Sequence, residues 1–324
     1  MSLRRAGYEV VTPCLLPCGD ERDKSADTLF RLWQHMVRAG LERTSTVVAL
    51  GGGVVGDLTG FAASTYMRGI SLVQIPTTLL AQVDAAIGGK TAIDLPSAKN
   101  IVGSFYQPRA VIVDVEALSS LAESRTEIRN GFAEVIKYAM IQDTTLFKWL
   151  EQNLGNFFES VSRRRTLRNR ELAFLETVIV RSALVKAKVV EQDERETKGK
   201  RMILNYGHTF AHSFEAASHY RMPHGEAVAL GMACAARMAR RRGFFSPEGE
   251  ERQNRLLRIA GLPTQIPRRF RVKELIGPMK LDKKRKAGKL RFILPERIGR
   301  VRVAENVPPS EIQAVLQELK GVKT

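Results

Sequence analysis

Up to about residue 120 the chain alternates short β-branched runs with stretches of helical spacing. The runs are YEVV (8–11), STVVAL (45–50), SLVQI (71–75) and AVIVDV (110–115), and ADTLFRLWQHMVRAG is the clearest amphipathic stretch between them. That rhythm predicts βαβ units and a parallel sheet covered by helices. From residue 126 to about 260 nearly every segment has helical periodicity instead, as in ETVIVRSALVKAKVVEQ and GEAVALGMACAARMARR. Near the end, KLRFILP, the turn IGR and VRVAE predict one hairpin, followed by a helix over PPSEIQAVLQELKG. The reading is an α/β, Rossmann-like N-terminal domain over residues 1–121 and a mostly helical domain over 122–324. The cleft between two such domains is the default place for a site.

Composition narrows the class. The 324 residues are 44% hydrophobic and 26% charged, ordinary for a globular enzyme. The sequence holds no apolar run of the roughly 18 residues a membrane span needs. The N-terminus, MSLRRAGYEVV, lacks an apolar h-region and a small-residue cleavage site, which predicts a cytoplasmic protein. Three cysteines, Cys14, Cys18 and Cys234, are too few for a disulfide framework. The formal charge of +17 fits either nucleic acid or an anionic small substrate. The basic runs RRRTLRNR, RMARRRG and KKRKAGK are scattered, with few interleaved aromatics and no nucleic-acid-binding motif, so specific nucleic-acid binding is disfavoured.

Four stretches carry candidate chemistry. GGGVVGD at 51–57 follows a predicted strand and opens a helix, with Gly51, Gly53 and Gly56 at G-x-G-x-x-G spacing. Such glycines let the backbone approach a pyrophosphate at a helix N-terminus. The acidic ribose reader due about 20 residues later is absent, and Asp57 is the acid at hand. DAAIGGKT at 84–91 imitates a Walker A loop but has Asp84 where that motif needs glycine, which disfavours ATP hydrolysis. It leaves Asp84, Lys90, Lys99 and Asn100 as groups suited to hydroxyls and phosphate. In NGFAEVIKYAM, Glu134 and Lys137 share a helix face three residues apart, as a surface ion pair or as part of a site. His208 and His212 share another face, and His224 follows in HGEAVALG. Thr209 replaces the glutamate of a zinc protease, so that class is rejected. Two histidines, a third and Glu134 still suit a catalytic zinc with open positions, the alternative being core or capping histidines.

Together, GGGVVGDLTGFAASTYMRG, QIPTTLLAQVDAAIGGKTAIDLPSAKNIVGSFYQP, NGFAEVIKYAMI, LNYGHTFAHSFE and HGEAVALG resemble the 3-dehydroquinate synthase family from about residue 19 onward. The resemblance implies a lyase that uses NAD+ and one divalent metal, zinc or cobalt. It would turn the seven-carbon sugar acid phosphate DAHP into 3-dehydroquinate and phosphate by transient oxidation, β-elimination, reduction and intramolecular aldol closure. By the same resemblance the metal ligands are Glu134, His208 and His224. His212 is a phosphate-contacting acid–base group and Glu196 a second proton acceptor. Lys186, Arg201 and Asn205 read the substrate carboxylate. Asp84, Lys90, Asn100, Lys137 and one lysine of the DKK run (Lys283 or Lys284) complete the pocket, with Lys90, Lys137 and Asp84 counted among the catalytic groups. Arg68 reaches the substrate of a neighbouring subunit, which implies a homodimer. NAD contacts fall on Glu21 to Lys24, on Gly52, Gly53 and Val54, on Asp57, Thr77, Thr78 and Lys99, and on Leu118, Ser119 and Ser120.

Two departures accompany the resemblance. Family members carry about one further strand–helix unit upstream, roughly fifty residues. Its absence would leave an unpaired sheet edge and exposed apolar surface, and admits a metal- and anion-binding pseudoenzyme as an alternative. TKGK between Glu196 and Arg201 is one residue longer than the family spacing, which would displace Glu196. A related sugar phosphate cyclase, such as an amino-dehydroquinate synthase, is the other alternative. The carboxylate readers argue against inositol-type substrates.

Overall fold

The computed structural model describes residues 2–96, 98–121, 124–163, 167–285 and 290–321, with the side chains of Ser2, Arg125 and 280–285 outside that description. The chain forms two compact units, residues 1–114 and 115–324.

In the first unit a short helix α1 (Ser2–Arg5) precedes α2 (Ala26–Arg38), β1 (Thr46–Gly51), α3 (Gly53–Thr65) and β2 (Ser71–Pro76). The antiparallel pair β3 (Lys90–Leu95) and β4 (Ala98–Phe105) comes next, then the two-residue β5 (Ala110–Val111). The parallel sheet has the order β1-β2-β5, with Thr46 opposite Ser71 and Val73 opposite Ala110. Helices α2 and α3 supply Leu29, Leu32, Met36, Leu58 and Ala62 to a core completed by Ala49 and Leu72 of the strands. That covers one face. On the opposite face Val48 and Leu50 of the edge strand β1 are 41% and 64% exposed, whereas a parallel sheet is normally buried on both sides. The strand predicted at YEVV does not form, since residues 8–11 pair with nothing in the sheet. The hairpin β3–β4 occupies a stretch that the pattern reads as glycine-rich loop.

The second unit is helical around α4 (Arg125–Ile141), followed by α5 (Thr144–Arg163), α6 (Asn169–Gln192), α7 (His208–Ala217), α8 (His224–Arg241), α9 (Pro247–Ile259) and α10 (Val272–Arg285). The hairpin β6 (Phe292–Arg297) and β7 (Arg300–Ala304) and then α11 (Pro309–Glu318) appear where the pattern places them. Every position of α4 from Asn130 to Ile141 is buried, because α5, α6, α8 and α9 all pack against it. Helix α8 is buried nearly all round, its alanines and glycines allowing close approach. A Cβ on Gly231 would lie 2.1 Å from the Gly207 carbonyl oxygen, and one on Gly225 would lie 2.5 Å from the Asn130 Cα. Glycine at these two positions therefore sets how near α8 lies to the start of α7 and to α4. Among the described residues no helix is long and apolar enough to cross a membrane.

Candidate active site

The second unit gathers its acid and histidines at one point. Glu134 projects from the buried α4, and His208 and His224 are the first residues of α7 and α8. The Nε2 atoms of His208 and His224 each lie 3.6 Å from Glu134 Oε1, and one ligand atom from each of the three residues lies within 4.8 Å of the others. Neither imidazole swings freely. His208 Nδ1 lies 3.1 Å from the Tyr206 carbonyl oxygen and His224 Nδ1 lies 3.0 Å from Glu215 Oε1. Both acceptors require the proton on Nδ1, so in each ring Nε2 is the atom on the Glu134 side, able to ligate an ion once it carries no proton. Lys137, one turn beyond Glu134 on α4, pairs with Glu134 Oε2. Both side chains are buried, which removes the reading of this pair as a surface salt bridge.

Electrostatics separate the two histidines of this cluster. Burial drives the His208 imidazole down to about 3, with Glu134 opposing and the cationic Lys137 assisting. Burial would also lower His224, but hydrogen bonds and charge from Glu134 and Glu215 outweigh it and lift its pKa to about 10. The His212 ring stands edge-on to His208 at a centroid distance of 5.9 Å. Three donors of mixed oxygen and nitrogen type, one buried and two half-buried, match the number and kind that hold zinc or cobalt with positions left open.

The loop from Asp193 to Asn205 brings two predicted residues, Arg201 and Glu196, together. The Asp193 carboxylate accepts the backbone N–H groups of Lys198 (2.9 Å) and Arg201 (3.2 Å). Burial would raise that carboxyl, but these backbone donors hold it below its ordinary value. The buried Arg201 guanidinium donates to the Glu194 carbonyl at 2.6 Å and lies 3.4 Å from Glu196 Oε1. Glu196 sits at φ +57°, in the left-handed region. Lys186 of α6 is buried and Asn205 exposed. Lys283 and Lys284 lie outside the described side chains.

In the first unit the glycine-rich turn opens α3 with Gly52 as N-cap and no capping side chain. A Cβ on Gly52 would lie 3.1 Å from Thr78 Cγ2, and one on Gly56 would lie 2.6 Å from Gln74 Oε1 of β2. The first closeness joins two predicted nucleotide contacts, and the second brings helix to strand. Beside the turn, Lys24 Nζ lies 2.8 Å from Asp57 Oδ2 and 3.7 Å from Glu21 Oε1, and it donates to Asn100 Oδ1. Lys99 reaches Glu21 at 3.2 Å. Asp94 accepts the Asn100 backbone N–H at 2.7 Å and donates its own to the Lys24 carbonyl at 2.7 Å. Burial would lower the Lys24 pKa, but Asp57 and Glu21 outweigh it and hold the pKa above its usual value. Five predicted residues thus meet in one network.

The remaining predicted residues are more dispersed. Asp84 sits in the single π-helical turn Ala81–Ala85, and Lys90 opens β3, exposed. Val54 lies in the first turn of α3, and Thr77 donates its backbone N–H to the Gly51 carbonyl at 2.9 Å. Arg68 and its neighbour Met67 both have positive φ, +68° and +47°, and both are exposed. Leu118 to Ser120 fall in a 3-10 turn that belongs to the second unit, with Leu118 buried and both serines exposed. Sequence reasoning missed Tyr206, Glu215 and Asp193. Tyr206 and Glu215 both lie inside the quoted LNYGHTFAHSFE, which was the signal available for them.

Comparison with known proteins places this geometry. Models of the 3-dehydroquinate synthase N-terminal and C-terminal regions match residues 14–128 and 131–285. The chain belongs to the 3-dehydroquinate synthase family. It is 47% identical to 3-dehydroquinate synthase of Nostoc punctiforme over 317 residues, 98% of this chain and 84% of the relative. It is 46% identical to the enzyme of the same name from Desulforamulus reducens over 318 residues, again 98% and 84%. Among solved structures, 2-epi-5-epi-valiolone synthase from Streptomyces hygroscopicus, with NAD+ and Zn2+ bound, superposes with a TM-score of 0.83 at 29% identity. That match covers 93% of this chain and 80% of the other. A 2-deoxy-scyllo-inosose synthase complexed with carbaglucose-6-phosphate, NAD+ and Co2+ gives 0.79 at 28% identity, covering 92% and 80%. A probable glycerol dehydrogenase from Sinorhizobium meliloti, 16% identical with a TM-score of 0.59, shares the fold alone.

Proposed function

We propose that this chain converts DAHP to 3-dehydroquinate and phosphate, as a cytoplasmic homodimer with NAD+ and one divalent ion. The observation that carries the reading is the convergence of Glu134, His208 and His224 from three helices. The identity of 47% and 46% over 98% of this chain to enzymes named for that reaction, against 28–29% for synthases of other names, favours this substrate. When bound, NAD+ supplies a reversible hydride acceptor and the ion a Lewis acid for the substrate's hydroxyls.

The chain's own residues do the rest. Glu134, His208 and His224 hold the ion. Lys186, Arg201 and Asn205 hold the carboxylate of the substrate, and Arg201 is already aimed by Glu194 and Glu196. His212, with Lys137 one turn beyond Glu134, moves protons beside the phosphate, and Glu196 is the second proton acceptor. From the first unit, Asp84, Lys90 and Asn100 bind hydroxyls and phosphate. An ammonium only donates, so Asn100 turns Oδ1 to Lys24 and presents its Nδ2 donors outward. Gly52, Gly53 and Val54 at the uncapped start of α3, with Thr77 and Thr78, receive the dinucleotide phosphates. Glu21, Lys24, Asp57 and Lys99, with the Leu118–Ser120 turn, complete the nucleotide contacts. One lysine of the pair 283–284 adds a further cation. Arg68, held exposed in a strained backbone, serves the substrate of the partner protomer.

The test is phosphate release from DAHP, with and without NAD+ and with and without chelator. Release that needs both NAD+ and metal supports the reading. Tight metal binding without phosphate release from DAHP overturns it.

A further inference from the structure

Two different devices aim the two ligand imidazoles. His208 is aimed by main chain: its Nδ1 faces the Tyr206 carbonyl, and Tyr206 is itself buried, with its hydroxyl bonded to Gln253 of α9. His224 is aimed by a side chain that no part of the proposed reaction uses. Glu215 lies on the last turn of α7, seven residues after His208, and is 8% exposed. Its Oε1 sits 3.0 Å from His224 Nδ1.

The intervening turn holds this contact in place. The Glu215 carbonyl accepts the Ser218 hydroxyl at 2.8 Å and the Tyr220 N–H at 2.7 Å, while Ser218 Oγ accepts the Met222 N–H at 3.1 Å. His219 and Tyr220 both adopt positive φ, +52° and +57°, which folds the chain back so that α8 begins beside the end of α7. The backbone of α8 is located separately, by the contact of Gly225 with Asn130 one turn before Glu134. Backbone packing thus sets where His224 starts, but it leaves the ring free to rotate about its side-chain torsions. A carboxylate accepts hydrogen bonds and does not donate them, so Glu215 fixes both the torsion and the tautomer.

We propose that Glu215 is the positioning residue of this metal centre, orienting His224 and setting the affinity for the ion. The inference rests on the ligand assignment made above for the three-residue cluster. Two variants test it, Glu215→Ala and the isosteric Glu215→Gln, stripped of metal and titrated with Zn2+ against a competing chelator. Losing such a partner typically weakens metal binding about 10–100-fold. That range is expected for Glu215→Ala, with a smaller loss for Glu215→Gln, which keeps an acceptor oxygen. The visible absorption of the Co2+-loaded Glu215→Ala protein should change, because the ligand field senses how the imidazole is presented. NAD+ affinity should stay near wild type, and the change in the Co2+ spectrum is a readout that a purely structural contact between α7 and α8 would not move.

His224→Ala separates the two ideas. If it loses the ion while both Glu215 variants keep wild-type affinity and an unchanged Co2+ spectrum, the positioning role is overturned and the ligand set stands. If His224→Ala itself retains the ion at wild-type affinity, the ligand assignment fails and the positioning role falls with it. Should Glu215→Ala not fold, Glu215→Gln decides alone, and wild-type affinity with an unchanged spectrum counts against the proposal.

Discussion

The two units build polar sites by opposite routes. In the first, the charges of Glu21, Lys24, Asp57 and Lys99 sit at the margin of a thin layer, two helices on one face of a three-stranded sheet. Only Lys24 of that group is buried. In the second, Glu134 and Lys137 lie on a helix with no exposed position over twelve residues, so an ion pair is carried inside the protein with two half-buried imidazoles beside it. Burying charge is costly and is tolerated only where partners are in place. The second unit therefore arrives with its partners arranged, whereas the first can adjust loop by loop. The lesson is that the metal centre should be brittle and the nucleotide side forgiving.

Removing the ion is the harshest test of that contrast. Chelation is expected to abolish phosphate release from DAHP, with recovery on adding Zn2+ or Co2+, while NAD+ binding measured by fluorescence titration stays. Loss of NAD+ binding under chelator would mean that the two sites are not separable.

Next come the two buried lysines. Lys137→Ala strips a partner from the fully buried Glu134 and should cost about 3–5 kcal/mol in the metal-free protein, less once metal is bound. Lys24→Ala removes a cation whose partner Asp57 is 23% exposed, so water takes over part of the role and the cost should be about 1–3 kcal/mol. Denaturant melts with and without Zn2+ read both, and only Lys137→Ala should show metal rescue. Equal losses would erase the distinction between the units.

Glycine substitutions give a smaller effect. A methyl at Gly225 meets the backbone of Asn130, which cannot swing aside, so Gly225→Ala should cost about 1–3 kcal/mol and weaken metal binding. A methyl at Gly56 meets the end of the Gln74 side chain. Its helix-propensity gain of about 1 kcal/mol offsets the crowding, leaving stability near wild type. Thermal melts of both variants check the pair.

The mildest probe is chemical. Cys14 and Cys18 of the first unit are exposed, while Cys234 is buried on α8, and burial pushes its thiol well above the ordinary range. Alkylation at neutral pH followed by mass spectrometry should label the first two and spare Cys234 in the folded protein.

Much of this was legible in one dimension, for reasons that particular residues make plain. The strands β1 and β2, the helix α2 and the hairpin β6–β7 announce themselves because period-2 and period-3.6 patterns are local. The hairpin β3–β4 did not, since Gly88 and Gly89 ahead of it read as loop, and YEVV looked like a strand although strands need a partner that pattern alone cannot supply. At the site, chemistry offered Glu134 and three histidines as donors, and the family resemblance singled out Glu134, His208 and His224 from them. The pairing of Glu134 with Lys137 by itself reads first as a surface salt bridge, because spacing along a helix does not say which face is covered.

Residue order by itself determined the donor types, the glycine-rich turn, the family and the positions of the main helices, since all of these depend on neighbours within a few turns. Only tertiary packing decided that α4 is enclosed, that three helices bring their ligands within 4.8 Å, and that a Tyr206 carbonyl and a Glu215 carboxylate choose the tautomers. Those outcomes depend on close contacts such as Gly225 on Asn130 and Gly231 on Gly207, between segments far apart in the chain. Hydrophobic periodicity says which face of a helix turns inward, but not which other helix will meet it there.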